Sequence, residues 1–170
     1  MPKSLVLKGL YVVLIIVILI IVFVVYNMFF TSEIEYEVEL YFSDLQAQKL
    51  MPETRIITSE QLYEATINEL IAGPTKDELV ETIPRQAELI NVELEDDLLV
   101  VDFSEDLVEY HSGGTTGERM TVYSIVNTLT NFSEVNQVQI LIEGEQRHTL
   151  SGHLDIEQPI EFNDQIINGE

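Results

Sequence analysis

Residues 115–144 read TTGERMTVYSIVNTLTNFSEVNQVQILIEG, and this stretch decides the architecture. Val122, Ile125, Val126, Leu129 and Phe132 recur at steps of three and four, the spacing of one helix face. Thr115-x-x-Glu118 has capping-box spacing, so a long helix is predicted over about 116–132. Val138, Ile140 and Ile142 then alternate with polar neighbours as a strand does, and Glu143-Gly144 closes it.

Outward from this helix and strand the same two periods recur. Tyr36, Val38, Leu40 and Phe42 alternate with Glu35, Glu37, Glu39 and Tyr41, a half-buried strand, and 43–50 reads as a loop. Glu53 to Thr58 reads as a second strand. Thr58-x-x-Gln61 is a capping box for a helix that carries Tyr63, Ile67, Leu70 and Ile71 on one face and stops at Gly73-Pro74. Thr75-x-x-Glu78 predicts a short helical turn. Ile90, Val92 and Leu94, the turn Asp96-Asp97 and the apolar run Leu98–Phe103 make a hairpin. After 142 a short return strand to about Leu150 and an extended segment through Pro159 are expected. The fold class is α+β: a mixed sheet of four to six strands with two main helices packed on one face.

Before this domain lie 24 residues without a charge, Gly9 to Ser32. As a helix, Leu10–Phe30 would reach roughly 31 Å at about 1.5 Å per residue, close to the thickness of a bilayer's hydrocarbon. A cleaved signal peptide would have a shorter apolar core and a small-x-small cleavage site, and Asn27-Met28-Phe29-Phe30-Thr31 offers none. Lys3 and Lys8 precede the run and Glu33, Glu35, Glu37 and Glu39 follow it, which predicts a cytoplasmic N-terminus and an extracytoplasmic remainder. The expected organisation is 1–8 cytoplasmic, 9–32 transmembrane, 33–35 tether, 36–162 domain and 163–170 a frayed tail, in the membrane of a bacterial cell.

Residues 33–170 hold 6 basic residues against 30 acidic ones, a net of −24. Such a surface repels nucleic acid, anionic lipid and phosphate-rich wall polymers. An acidic load on a folded domain fits a saline or alkaline habitat, where screening weakens self-repulsion. The absence of cysteine removes disulfides, thiolate catalysis and a lipidated cysteine anchor.

The residues that could carry chemistry do not assemble into a site in the sequence. The histidines are His111, His148 and His153. Gly152-His153-Leu154-Asp155 could pair a histidine with a carboxylate, but a metal site needs further ligands at fitting spacing. Ser104, Ser112 and Ser124 lack a G-x-S-x-G elbow, and Ser124 reads as helix packing or a bond to its own backbone. Asp102 reads as an acceptor for N–H groups of the turn that follows it. Glu93, Glu95, Asp96 and Asp97 lack the spacing of a calcium loop and read as a solvated hairpin tip. Gly113-Gly114 before a helix could cradle a phosphate, yet only Arg119 is a nearby cation. No catalytic, cofactor-binding or metal residue is therefore assigned, and no enzymatic activity is expected.

Tyr36–Phe42, Pro52-Glu53-Thr54-Arg55, Leu70-x-x-Gly73-Pro74-Thr75, Ile83-Pro84, Val101-Asp102-Phe103-Ser104, Gly113-Gly114, Val122–Thr130, Val138-Gln139-x-Leu141-Ile142-Glu143-Gly144 and Gly152-His153-x-Asp155 occur in that order. The ordered set resembles the GerMN domain family over about 36–162. The resemblance implies a small α/β domain outside the cytoplasmic membrane. It also implies a protein-interaction module that helps assemble an envelope or sporulation and germination complex with another envelope protein. Family members are often lipid-anchored and doubled, whereas this chain has one copy behind an apolar run. Docking through a sheet edge or the loop 104–115 is the expected mode. A peptidoglycan or wall-polymer module accompanying a cell-wall hydrolase is the alternative, with Tyr41, Tyr63 and Tyr110 as its aromatic candidates.

Overall fold

The computed structural model describes residues 3–30, 34–111 and 113–169, with backbone alone for 3–8, 10 and 27–30. The chain divides into two compact units, one up to residue 34 and one from residue 35 onward. In the first, helix α1 (Lys3–Phe30) runs for 28 residues and its described side chains, Gly9 and 11–26, are all exposed. Among the described residues no helix is long and apolar enough to cross a membrane. The described side chains cover only part of the uncharged run 9–32.

Among its described residues the second unit contains two sheets, where the sequence predicts one. The first sheet has the order β2-β1-β3, built from β1 (Glu35–Asp44), β2 (Leu50–Thr58) and β3 (Leu79–Val80). β1 and β2 pair antiparallel from Glu35↔Thr58 to Ser43↔Leu50. β1 is longer than its alternating core because Ser43 and Asp44 continue it to pair with β3. The connecting loop is correspondingly short, and Asp44 Oδ1 accepts the N–H of Gln48 at 2.7 Å to close it.

The second sheet has the order β4-β5-β6-β7, and β8 pairs with the start of β6, at Gln137 and Val138, on the same edge as β7. β4 (Leu89–Glu95) and β5 (Leu98–Phe103) form the expected hairpin, with Asp96 at φ 56° in its turn. β5 and β6 (Gln137–Ile142) run parallel from Leu98↔Gln137 to Phe103↔Ile142. A parallel pair needs a long crossover, and helices α3 (Asp106–Glu109) and α4 (Gly114–Leu129) supply it. β7 (Glu145–Gln146) is much shorter than the return strand predicted to Leu150, and β8 (Ile160–Glu161) lies beyond the extended segment.

Two main helices are present as expected, α2 (Leu62–Ala72) and α4. They do not lie on one face of one sheet. α2 touches β1, β2 and β4, and α4 touches β1, β6 and β8, so each helix bridges both sheets. The apolar faces of both helices and the inner faces of both sheets meet in one core, with Leu40, Phe42, Leu70, Phe103, Ile125 and Leu129 fully buried.

Within the tail expected to fray, residues 163–169 are docked. Helix α5 (Gln165–Asn168) puts Ile166, 2% exposed, against Tyr41, Leu50 and Met120. Asn127 of α4 holds the entry to α5 by exchanging hydrogen bonds with the backbone of Asn163, at 2.8 and 2.9 Å.

Candidate functional site

None of the three predicted capping boxes forms. Thr58 ends β2, and α2 opens at Gln61 without a side-chain cap. Thr115 lies inside α4, whose N-cap is Gly113. Thr75 opens no helix, because its hydroxyl and its N–H both donate to Glu53, at 3.0 and 3.1 Å. The carboxylates involved act over long range instead.

Glu118 is fully buried. It accepts the N–H groups of Leu150, Ser151 and His153 and the Ser151 hydroxyl, all at 2.8 to 3.0 Å. Burial alone would raise its pKa, but these donors outweigh it and hold the carboxyl below its ordinary 4.5. Glu53, 2% exposed, accepts from Thr75 and Lys76 and pairs with Arg55 at 2.6 Å. Its pKa is likewise held low, against its burial, by Arg55 first and then by Thr75 and Lys76. Asp102 Oδ1 accepts the N–H of Gly144 at 2.9 Å, across the parallel pair, and not the turn after β5 as expected.

Ser124 bonds a different partner from the one predicted. Its hydroxyl donates to the carbonyl of Tyr41 at 2.6 Å, and Thr128 Oγ1 accepts the Tyr41 N–H at 3.0 Å. With Thr121, which donates to the Thr82 carbonyl at 2.5 Å, these hydroxyls form a polar stripe along α4. The stripe satisfies backbone groups that no neighbouring strand takes up. Ser124 also lies 2.5 Å from the Thr82 hydroxyl. His111 Nε2 lies 3.1 Å from Thr121 Oγ1, and its Nδ1 accepts the Gly113 N–H at 2.9 Å. Burial lowers the pKa of this ring, partly offset by Glu118. Ser104 accepts the Glu88 N–H at 3.0 Å. Ser112 lies outside the described residues.

His153 and Asp155 are not assembled into a dyad. The structure instead gathers His148, Asp155 and Glu157, whose ligand atoms all lie within 4.8 Å of one another. The signal in the sequence was obscured because His148 stands before the irregular segment that returns to it. Gly113 and Gly114 have φ of 74° and 78° at the start of α4. Arg119 does not face a glycine cradle; it lines a cleft of about 620 Å³ with Lys49, Thr116, Met120 and Ile166.

The tyrosines proposed as an aromatic platform differ in exposure. Tyr41 is buried against Phe162, ring centroids 6.2 Å apart. Tyr63 packs edge-on to Phe132 and donates to Glu134 at 2.6 Å. Burial first, and that carboxylate second, push its phenol up to about 12. Tyr110 stands 51% exposed.

Among the described residues β4 pairs with β5 alone and so ends its sheet. Glu95 and Leu98 flank a two-residue turn, so they exchange hydrogen bonds with each other. By alternation, Val92 and Leu94 turn their backbone groups outward. Ile90 is 50% exposed here, and Glu88, Glu93, Glu95, Asp96 and Asp97 are exposed around it. Asp97 is also tied down, accepting from Asn136 Nδ2 at 2.7 Å. The outer edge of β4 is thus an acidic, partly apolar row of open backbone groups.

Residues 39–148 match the family model described as Germane, sporulation and spore germination. The chain belongs to the Germane (GerMN) family. The first GerMN domain of the sporulation protein GerM from Bacillus subtilis superposes with a TM-score of 0.61 at 21% identity, covering 76% of this chain and 98% of that one. The tandem GerMN domains of the same protein give 0.63 at 21% identity over 78% of this chain and 46% of theirs. A chain described as a lipoprotein from Clostridium perfringens gives 0.56 at 26% identity, covering 78% of this chain and 90% of that one. No curated protein matches the sequence.

The residues that carry the GerMN resemblance have visible bonding roles in this domain. Glu53 and Arg55 share a strand face and clasp the Gly73–Lys76 turn, Arg55 donating to the Gly73 carbonyl at 2.6 Å. Asp102 meets Gly144, and the run Val122–Thr130 combines the apolar core face with the Ser124–Thr128 hydroxyls.

Proposed function

We propose that this GerMN chain is a membrane-anchored, extracytoplasmic protein-interaction module that helps assemble an envelope or sporulation and germination complex. The observation that carries the reading is the open edge of β4, paired on one side only and bordered by exposed carboxylates. An extended segment of another envelope protein adds a strand there through main-chain hydrogen bonds. Lysine or arginine at alternate positions of that segment complements Glu93 and Glu95.

The anchor reading rests on the uncharged run 9–32, with Lys3 and Lys8 before it and acidic residues after it. The description of the Clostridium perfringens relative as a lipoprotein supports a place at the membrane. Tyr41 is buried and Tyr63 is engaged with Phe132 and Glu134, which favours protein over wall polymer as the partner.

The test is retention of solubilised envelope proteins on the full chain held in non-ionic detergent, beside retention of purified peptidoglycan. Val92→Pro removes one outward N–H while leaving the β4–β5 bonds. It should abolish retention of a discrete envelope protein, with circular dichroism showing an intact domain. Retention unchanged by a folded Val92→Pro chain would remove the edge from the reading, and binding to peptidoglycan alone would replace it by the wall-polymer alternative.

A further inference from the structure

His148, Asp155 and Glu157 play no part in the core or in the β4 edge. We propose that they form a binding site for a first-row divalent cation of the zinc class.

The donors are one imidazole and two carboxylates, within 4.8 Å of one another. His148 Nδ1 is 3.0 Å from Glu157 Oε2. Zinc bound tetrahedrally at about 2.0–2.1 Å spaces its ligand atoms roughly 3.3 Å apart. One pair of donors is therefore already at coordination spacing, and the third needs a modest side-chain rotation.

The backbone beneath the donors is fixed. Ile156, between the two carboxylates, is fully buried. Its N–H donates to the His148 carbonyl at 2.9 Å, and its carbonyl accepts from Gln139 Nε2 at 3.0 Å. Asp155 Oδ1 accepts the Glu157 N–H at 2.9 Å, which orients that carboxylate and leaves Oδ2 for a metal. The three side chains therefore extend from one pinned point. His148 is 79% exposed at its side chain, so the fourth position is open to water or to a ligand from another protein.

Imidazole selects against calcium and magnesium, which favour all-oxygen sites, and suits zinc, nickel or copper. The acidic surface raises the local cation concentration. Bound metal would link the two ends of the 148–157 segment, most of which lacks regular structure.

The three histidines make the site easy to read. Both ring nitrogens of His111 are engaged, with Thr121 and Gly113. His153 lies outside the donor group. Zinc chloride is titrated into the full chain in non-ionic detergent, followed by calorimetry, thermal melting and histidine ring NMR, with calcium chloride in parallel. One equivalent should bind and raise the melting temperature, and the His148 ring signals alone should move. His148→Ala, at an exposed position, should melt like the parent without zinc and bind zinc at least about tenfold more weakly. Asp155→Asn and Glu157→Gln should each weaken it too. Equal binding by His148→Ala, displacement by equimolar calcium, or movement of all three histidines together would overturn the proposal and leave only a diffuse cation atmosphere.

Discussion

At the residue scale, the domain uses carboxylates as clasps for its own backbone. A buried ion is costly unless its lone pairs are filled. Glu118 meets this condition with four donors and Glu53 with Arg55 and the Thr75–Lys76 turn. Removing the Glu118 carboxylate strands three backbone N–H groups. Glu118→Ala should therefore destabilise the domain by about 3 kcal/mol, measured by urea unfolding at pH 7. Both carboxyls have folded pKa values below the ordinary 4.5. Their stabilisation is complete above that value and is lost as pH falls through the folded values. Urea midpoints between pH 7 and pH 3 should drop below about pH 4.5, and the drop should be smaller in Glu118→Ala. The sequence shows Glu118 only as a member of a capping box. Its real partners lie more than thirty positions away, and spacing rules describe near neighbours alone.

At the element scale, the strongly periodic segments are legible and the short ones are not. β1, the β4–β5 hairpin, α4 and β6 fall where alternation or helical spacing put them, because each buries one face and the buried face dictates the period. β3, β7 and β8 are two residues each, too short to show a period. α5 is missed for a similar reason. Its four residues carry Ile166 and Ile167, and only the pocket formed by Tyr41, Leu50 and Met120 makes them worth burying. Ile166→Ala should cost about 2–4 kcal/mol, seen as a lower thermal midpoint. A change within about 0.5 kcal/mol would return the tail to a frayed state. α4 carries both signals on one helix: an apolar face for the core and a hydroxyl stripe for the Tyr41 and Thr82 backbone groups. The apolar face is visible as periodicity. The stripe is not, since Thr121, Ser124 and Thr128 also suit an exposed face.

At the scale of the whole molecule, 30 acidic residues against 6 basic ones in residues 33–170 put the folded domain under self-repulsion. The closest ion pairs, Arg55 with Glu53 and Glu69 and Arg147 with Glu105, involve few of those acids. Screening should therefore stabilise the domain, and the melting temperature should rise between about 0.05 and 1 M sodium chloride as the Debye length shrinks to about 3 Å. A flat or falling curve would remove charge repulsion, and with it the saline-habitat reading, from the account. By itself, the sequence determined the α+β class, the hairpin, the two main helices, the family and the uncharged run before the domain. These follow from local period, composition and the order of short motifs, all of which are written along the chain. Tertiary structure alone decided that there are two sheets bridged by the helices, that β4 presents an open edge, that Glu53 and Glu118 are clasps, and that His148 meets Asp155 and Glu157. Each of these depends on which distant backbone groups lack a partner once the core has closed, and that is set by packing in three dimensions.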